Sequence, residues 1–422
     1  MNYNIIKIYL ISTIITYIYN NYNINNNKER YNKWLNFLNW GKENGLKIHP
    51  NITLNFTSLF NEYFIATGDI KTNDTIILIP NKTFIDFDYI YNHTNKKFKN
   101  FYKKIDIGDI SSHNKTKNQI YLALIIQLEM LKQKGKLYKK FKHFLDFNYP
   151  ESYDYLKNPT FYTTDEWKIF SSTTCSLLAF NAKQGLASEN FYLQNNIKKD
   201  LDSDQYFIIR TINEKIKRYN NESIFLVPFI NLFKFDPFDN NCFEIYDDDN
   251  NIKVTASRDI KKDEIINMIP KLFDNCDNLL YYGYTFDYSS VDDYYPKLFI
   301  NINLNKRMDM LSISNPEYVN YGSNDYFEKT LEIYNKTWKS DVPIYQKIGI
   351  IQQIINKYLQ QLNFIKTEDY NKKIFTKENK INIQRIVEEE KKVLNLRKKE
   401  LEDKFKYYKK YNKRNINLNE DL

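Results

Sequence analysis

Glycine and proline are scarce in this chain, 9 and 10 of 422 residues, where average usage would give roughly 12% for the two together. Collagen-like, mucin-like and glycine-rich-loop proteins are excluded by that count. The Walker phosphate loop and the dinucleotide glycine fingerprint are both absent. Cysteine is limited to Cys175, Cys242 and Cys276 with no Cys-x-x-Cys pair, and His49, His93, His113 and His143 have no ligand spacing. A metal site is therefore not expected, nor is a disulfide framework. What the chain does have is aromatic surface: 16% of its residues, 36 of them Tyr, which excludes a disordered polymer. Lys and Arg (61) exceed Asp and Glu (52) by 9. That excess is spread along the chain, so it permits weak attraction to acidic partners without calling for nucleic acid.

The run Ile5 to Tyr19 is apolar, is interrupted by Lys7, and has no acidic residue before Glu29. At ~1.5 Å per residue it falls short of a bilayer-spanning helix. It fits the hydrophobic region of a secretory leader, with onward passage to a plastid-type organelle as one extension of that reading, although no small-x-small cleavage site follows. The other reading is a core element of a cytoplasmic or nuclear protein. Asn20 to Lys33, rich in Asn and mildly basic, has the composition of a linker or a second targeting element.

One internal similarity organises the rest. Ala66-Thr67-Gly68-Asp69-Ile70-Lys71 precedes Asp74 and Ile76-Ile77, and Ala256-Ser257-Arg258-Asp259-Ile260-Lys261 precedes Glu264 and Ile265-Ile266. Both read as a strand, a polar turn and a second short strand. Between them Ile120, Leu124, Leu128 and Leu131 predict an amphipathic helix over Asn118–Lys134, with further helices over Thr164–Phe180 and Asp202–Tyr219. Towards the C-terminus Asp341 is placed to cap a helix with Pro343 in its first turn and a stripe of Ile344, Ile348, Ile351, Ile355 and Leu359. A long charged helix over Lys377–Lys410 follows, with Ile383, Val387, Leu394, Leu401 and Phe405 on its buried side. Its run Glu388-Glu389-Glu390-Lys391-Lys392 reads as a solvated face.

The order of β-unit, helical insertion, β-unit and helical tail resembles the SET-domain methyltransferases of the Rubisco large-subunit methyltransferase class. The segment Ala256 to Ile265 resembles that family's Ala-x-Arg-Asp-Ile-x-x-Gly-Glu-Glu, and Asn275, Leu279 and Tyr282-Gly283-Tyr284 resemble its Ser-Asn-x-x-Leu-Leu-x-x-Tyr-Gly-Phe. Leu226-Val227-Pro228 and Asn240 to Cys242 fit the approach to the cofactor site and the turn after it. Phe144 to Pro150, Phe161 to Phe170, and Arg385 with Glu390, Lys391 and Leu394 resemble segments of the insertion and the last helix. The resemblance implies an α+β fold: a SET β-core of short strands in 34–110 and 224–300, a helical insertion at 111–223 and an all-helical lobe at 301–415, with 1–33 left as the leader and low-complexity linker that the composition suggests.

It also implies methyl transfer from S-adenosylmethionine to a protein lysine, without a metal, by alignment and electrostatics. Three motifs of that chemistry depart from the family pattern here. The Gly-x-Gly before the first β-unit falls on Asn61, Glu62 and Tyr63. The Asp-Leu-x-Asn-His motif falls on Asn231, Lys234 and Phe235, and a second register places Asn231-Leu232 on the Asn-His pair. The catalytic Tyr position falls on Ile269 or Pro270, neither of which has a side-chain donor. Tyr282 is the catalytic candidate that remains, and Lys215 and Arg218 are the counterparts of an Arg before Leu-Val-Pro. Two functions are therefore carried forward: a protein-lysine methyltransferase with an atypical pocket, and a SET fold that binds a protein partner through its helical lobe. Basic aromatic stretches at Lys97–Lys104 and Lys404–Lys413 are the features a nucleic-acid-binding reading would use.

Overall fold

The computed structural model describes residues 28–56, 62–105, 114–133, 135–150, 157–197, 199, 201–220, 223–269, 274–288, 298–301, 318–320, 323, 325–337, 343–365 and 377–420. The apolar run Ile5 to Tyr19, Pro270 and Asp341 lie outside them. The chain divides into two compact units, one drawn from residues 1–156 and 185–271, the other from 157–184 and 272–422.

The first unit opens with helix α1 (28–43). Its first residues come from the stretch whose composition suggests a linker. They are held in a helix because Arg30 is buried and Trp34, Phe37 and Trp40 face the core. Strands β1 (Lys47–Ile48), β2 (Ile52–Phe56), β3 (Glu62–Ala66), β4 (Thr75–Ile79) and β5 (Ile85–Asp86) follow. Between β5 and β6 in the chain run helices α2 (Phe87–His93), α3 (Lys96–Lys104), α4 (Asn114–Lys132), α5 (Lys136–Asn148), α6 (Thr164–Phe170), α7 (Cys175–Asn196) and α8 (Ser203–Ile216), of which α6 and the start of α7 belong to the second unit. β6 (Lys217–Asn220), β7 (Ser223–Leu226), β8 (Lys234–Phe235), β9 (Cys242–Tyr246), β10 (Ile252–Ala256) and β11 (Asn267–Met268) complete the β-core. They form a six-stranded sheet in the order β1-β4-β10-β9-β11-β8, a β2-β3 hairpin and a β5-β7-β6 sheet.

The repeated Asp-Ile-Lys turns meet each other. Ile70 and Ile260 exchange both backbone hydrogen bonds at 2.9 Å. Ala256 accepts from the Asn73 amide and Ala66 from the Asp263 amide, at 2.9 and 2.8 Å. Asn73 and Asp263 both sit in the left-handed region, at φ 70° and 71°. Asp69 accepts from Lys261 and the Lys262 amide, while Asp259 accepts from Lys71 and Thr72. A local two-fold relation therefore joins the two β-units through turns that are distant in sequence.

An aromatic stack fills the centre of this unit. Phe37 and Phe229 lie parallel with centroids 4.0 Å apart, and Trp34 and Phe147 pack beside them. Phe229 is fully buried yet left-handed (φ 67°), a strained conformation held by its surroundings. Gly41 allows it, since a Cβ there would meet the Phe229 ring at 2.7 Å.

In the second unit, α6 and α7 are separate helices where the pattern suggests one, because residues 171–174 turn and present the start of α7 to a carboxylate. The unit continues with α9 (Asn275–Tyr282), strands β12 (Phe299–Asn301) and β13 (Tyr318–Asn320), and helices α10 (Tyr326–Thr337), α11 (Ile344–Asn363) and α12 (Lys377–Glu420). Ile348, Ile351, Ile355 and Leu359 of α11 pack with Ile383, Val387, Leu394 and Leu401 of α12, as their spacing predicts. The N-cap of α11 is Pro343 itself.

Two sequence readings are corrected here. Cys175 and Cys276 form a disulfide. Cysteine spacing carries no information on which distant cysteines the fold brings together. The run Glu388 to Lys392 is a solvated face only in part: Glu388 and Lys392 are exposed, but Glu390 is 2% exposed. Its carboxylate accepts from the Thr174 amide and hydroxyl and the Cys175 amide at 2.9, 2.8 and 3.0 Å, capping α7. Among the described residues no helix is long and apolar enough to cross a membrane, and no cluster of His, Cys, Asp and Glu could hold a metal.

Candidate functional site

In the first unit the singled-out residues lie on β3, on the 3-10 turn Ile230–Leu232 that follows Phe229, and on the β8–β11 ladder. β8 runs parallel to β11, with Lys234 opposite Asn267 and Phe235 opposite Met268. The Ile266 amide donates to the Phe64 carbonyl at 3.0 Å, which fixes β3 alongside this ladder.

Glu62 is committed to the interior of the chain. Its carboxylate accepts from Arg30 Nε at 2.7 Å, with side chains only 7% and 3% exposed. The Arg30 guanidinium also lies 3.8 Å from the centre of the Phe147 ring and donates to the Phe147 carbonyl. The neighbouring Tyr63 turns the other way. Its hydroxyl accepts from Asn55 Nδ2 at 3.1 Å, and Lys234 Nζ stands 4.1 Å from its ring centre. Burial pushes the Lys234 pKa below the usual lysine value, since a half-buried ammonium loses hydration that a ring face restores only in part.

Asn231 donates through Nδ2 to Asn148 Oδ1 at 3.0 Å, and Asn148 in turn donates to the Phe144 carbonyl at 2.9 Å. The Asn231 Oδ1 is buried with no hydrogen-bond partner among the described residues, an uncommitted acceptor. Ile269, directly after β11, is 48% exposed and offers only hydrocarbon. Arg218 is taken up by Glu244, with contacts of 2.8 and 2.7 Å. Burial lowers the Lys215 pKa to about 8. Tyr282 belongs to the second unit, at the end of α9, its ring 5.9 Å from that of Tyr284 and the helix closed by left-handed Gly283 (φ 79°).

The structure thus brings Tyr63 and Lys234 into contact, joins Asn231 to Asn148, and commits Glu62 to Arg30. Arg30, Asn55 and Asn148 were not candidates from sequence. Only Asn148, an amide between the aromatic residues Phe147 and Tyr149, carried a local signal. A ring face is a natural seat for a sulfonium or ammonium, and here Lys234 occupies it. A second cation at about 4 Å would meet a repulsion on the order of 4 kcal/mol near a protein surface.

No protein-family model and no curated protein matches the sequence. Solved structures do match in fold. The SET domain of LSMT bound to lysine and AdoHcy is 14% identical, covers 90% of this chain and 92% of its own, and has a TM-score of 0.63. Rubisco LSMT bound to AdoMet is 12% identical over 89% of this chain and 92% of that one, with a TM-score of 0.61. Rubisco LSMT bound to sinefungin and monomethyllysine gives 14% identity, 89% and 92% coverage and a TM-score of 0.59. With a β-core interrupted by helices and followed by a helical unit, the chain has the SET-domain fold of the Rubisco large-subunit methyltransferase type.

Proposed function

We propose that this chain is a SET-fold protein whose cofactor position is filled by its own side chains, and that it acts by binding a protein partner through its helical lobe. The observation that carries this reading is the contact of Lys234 Nζ with the Tyr63 ring at 4.1 Å. It places a bulky ring and a positive charge at positions where the resemblance implies glycine and asparagine. S-adenosylmethionine carries both a sulfonium and an ammonium, so the residues present do not fit it as arranged. No step of methyl transfer is assigned.

A second reading, methyl transfer to a protein lysine, is favoured by two observations. The fold is shared with structures that hold AdoMet or AdoHcy, and the buried Asn231 Oδ1 is an acceptor suited to an ammonium. In this reading Asn231 and Phe235 bound the cofactor with Ile269 and Pro270 at the catalytic Tyr position, and Tyr282 is the catalytic residue. Calorimetric titration of the full chain with S-adenosylmethionine and S-adenosylhomocysteine separates the two. No heat at millimolar cofactor, with folding verified by circular dichroism, is expected. Micromolar binding, about −8 kcal/mol, would replace the first reading with the second.

A further inference from the structure

Positive charge that is scattered along the sequence is gathered on three helices of the first unit. α3 and α5 carry nine lysines between them, while the acids of α2, α3 and α5 are Asp88 and Asp146. Asp146 accepts from the Tyr138 hydroxyl at 2.9 Å. None of the nine lysines has an ion-pair partner among the described residues.

The short helix α2 joins the two lysine-bearing helices. Lys140 Nζ of α5 stands 3.8 Å from the centre of the Tyr89 ring, which stacks on His93 at 4.1 Å, and Phe141 meets Tyr89 edge-on at 6.1 Å. From α3, Lys99 Nζ donates to the Asn92 carbonyl at 3.0 Å, and Tyr102 meets Tyr91 at 5.3 Å. Residues three or four apart share a helix face. Lys96 and Lys103 therefore stand with Lys99, and Lys136 stands with Lys140; all three are exposed. Lys97, Lys104 and Lys142 are turned about 140–160° from those faces, at ~100° per residue.

The chemistry of this surface selects its partner. Protein interfaces are depleted in lysine and centre on aromatic, Met or Arg anchors. Among the described residues α2, α3 and α5 expose no large apolar side chain. A lipid surface calls for the same missing group, because stable anchoring there takes a second signal besides charge. A single strand needs open ring faces for its bases, and Tyr89 and Tyr91 already have Lys140 and Lys99 over them. Arginine, with its rigid fork for guanine edges, is absent from the three helices. What remains is a repeating anion that requires only point charges.

We propose that the face formed by α2, α3 and α5 binds the phosphate backbone of a nucleic-acid duplex, independently of base sequence. It shares no residue with the cofactor position.

The test is fluorescence anisotropy of the full chain with labelled DNA and RNA duplexes of about 20 base pairs, each in two unrelated sequences, over a range of salt concentrations. Affinity is expected to be equal across sequences. Log K should fall against log salt with a slope of roughly −3 or steeper, at about −0.9 per phosphate neutralised. Equal affinity for DNA and RNA assigns the phosphates alone, and a preference for one adds the form of its helix. The triple variant Lys96→Gln, Lys103→Gln, Lys136→Gln should bind at least tenfold more weakly, with a slope flatter by about 2–3. Lys97→Gln, Lys104→Gln, Lys142→Gln removes the same charge and should cost less than threefold. Equal loss in the two triples, no binding at low salt, or tighter binding to a single strand, polyglutamate or phosphatidylserine vesicles than to either duplex would overturn the proposal. Should a triple fail to fold, lysine acetylation of the unaltered chain, read by mass spectrometry, decides. Duplex that shields Lys96, Lys103 and Lys136 more than Lys97, Lys104 and Lys142 supports the assignment, and equal shielding refutes it.

Discussion

Lys234 holds its ammonium over the Tyr63 ring, so that β8 and β3 each supply the group the other needs. Replacing both, as Lys234→Asn with Tyr63→Gly, removes the cation and the ring together. The cation–π contact is worth about 0.5–2 kcal/mol, and its loss also lifts the charge repulsion. The double variant should gain at least tenfold in affinity for S-adenosylmethionine by calorimetry. Equal affinity in the variant and the parent would show that the contact does not govern cofactor entry.

The Arg30–Glu62 pair is buried on both sides. Removing one partner breaks a buried pair, and Arg30→Met alone should lower stability by about 3–5 kcal/mol. Adding Glu62→Leu should recover most of that loss. Urea unfolding midpoints of the single and double variants check it.

Gly41 and Gly349 make opposite predictions for one substitution. Gly41→Ala drives a methyl into the Phe229 ring and should destabilise by about 1–3 kcal/mol. Gly349→Ala in α11 meets nothing within 4 Å and should stabilise by roughly 0.5–1 kcal/mol through helix propensity. Thermal denaturation of the two variants should move in opposite directions.

The disulfide closes a separation of 101 residues. Chain entropy for a loop of that length corresponds to about 4–5 kcal/mol of stabilisation. The double variant Cys175→Ser, Cys276→Ser should unfold at a clearly lower urea concentration, and reductant should lower the midpoint of the parent but not of the variant. An unchanged midpoint would mean the reduced chain is equally constrained.

Asp69 and Asp259 each anchor the turn that faces them. Hydrogen bonds from the facing turn hold both aspartates below the usual carboxylate range. Their contribution is present above the ordinary aspartate value and is lost as pH falls through the lowered one. Melting temperature should therefore fall as pH drops below about 4. Asp69→Asn with Asp259→Asn should flatten that acid limb.

Helix stripes and the two Asp-Ile-Lys turns were legible because their physics is local. A period of 3.6 and a polar turn between two apolar runs are visible within a dozen residues. The stripes of α11 and α12 are buried on the sides their spacing indicates. The break between α6 and α7 was not legible, because the cap that allows it comes from Glu390, 216 residues away.

The sequence by itself determined the α+β class, the order of β-units and helices, and the positions at which the chain departs from the motifs it resembles. Only the tertiary structure decided which charges go inside, which cysteines meet, and that a lysine from one departed motif rests on the tyrosine of another. The reason is the range of the forces involved. Propensity and periodicity act between near neighbours in the chain. Desolvation, ion pairing and cation–π contact depend on what burial places side by side, and Glu390 within a charge run reads as solvent-facing until the start of α7 covers it.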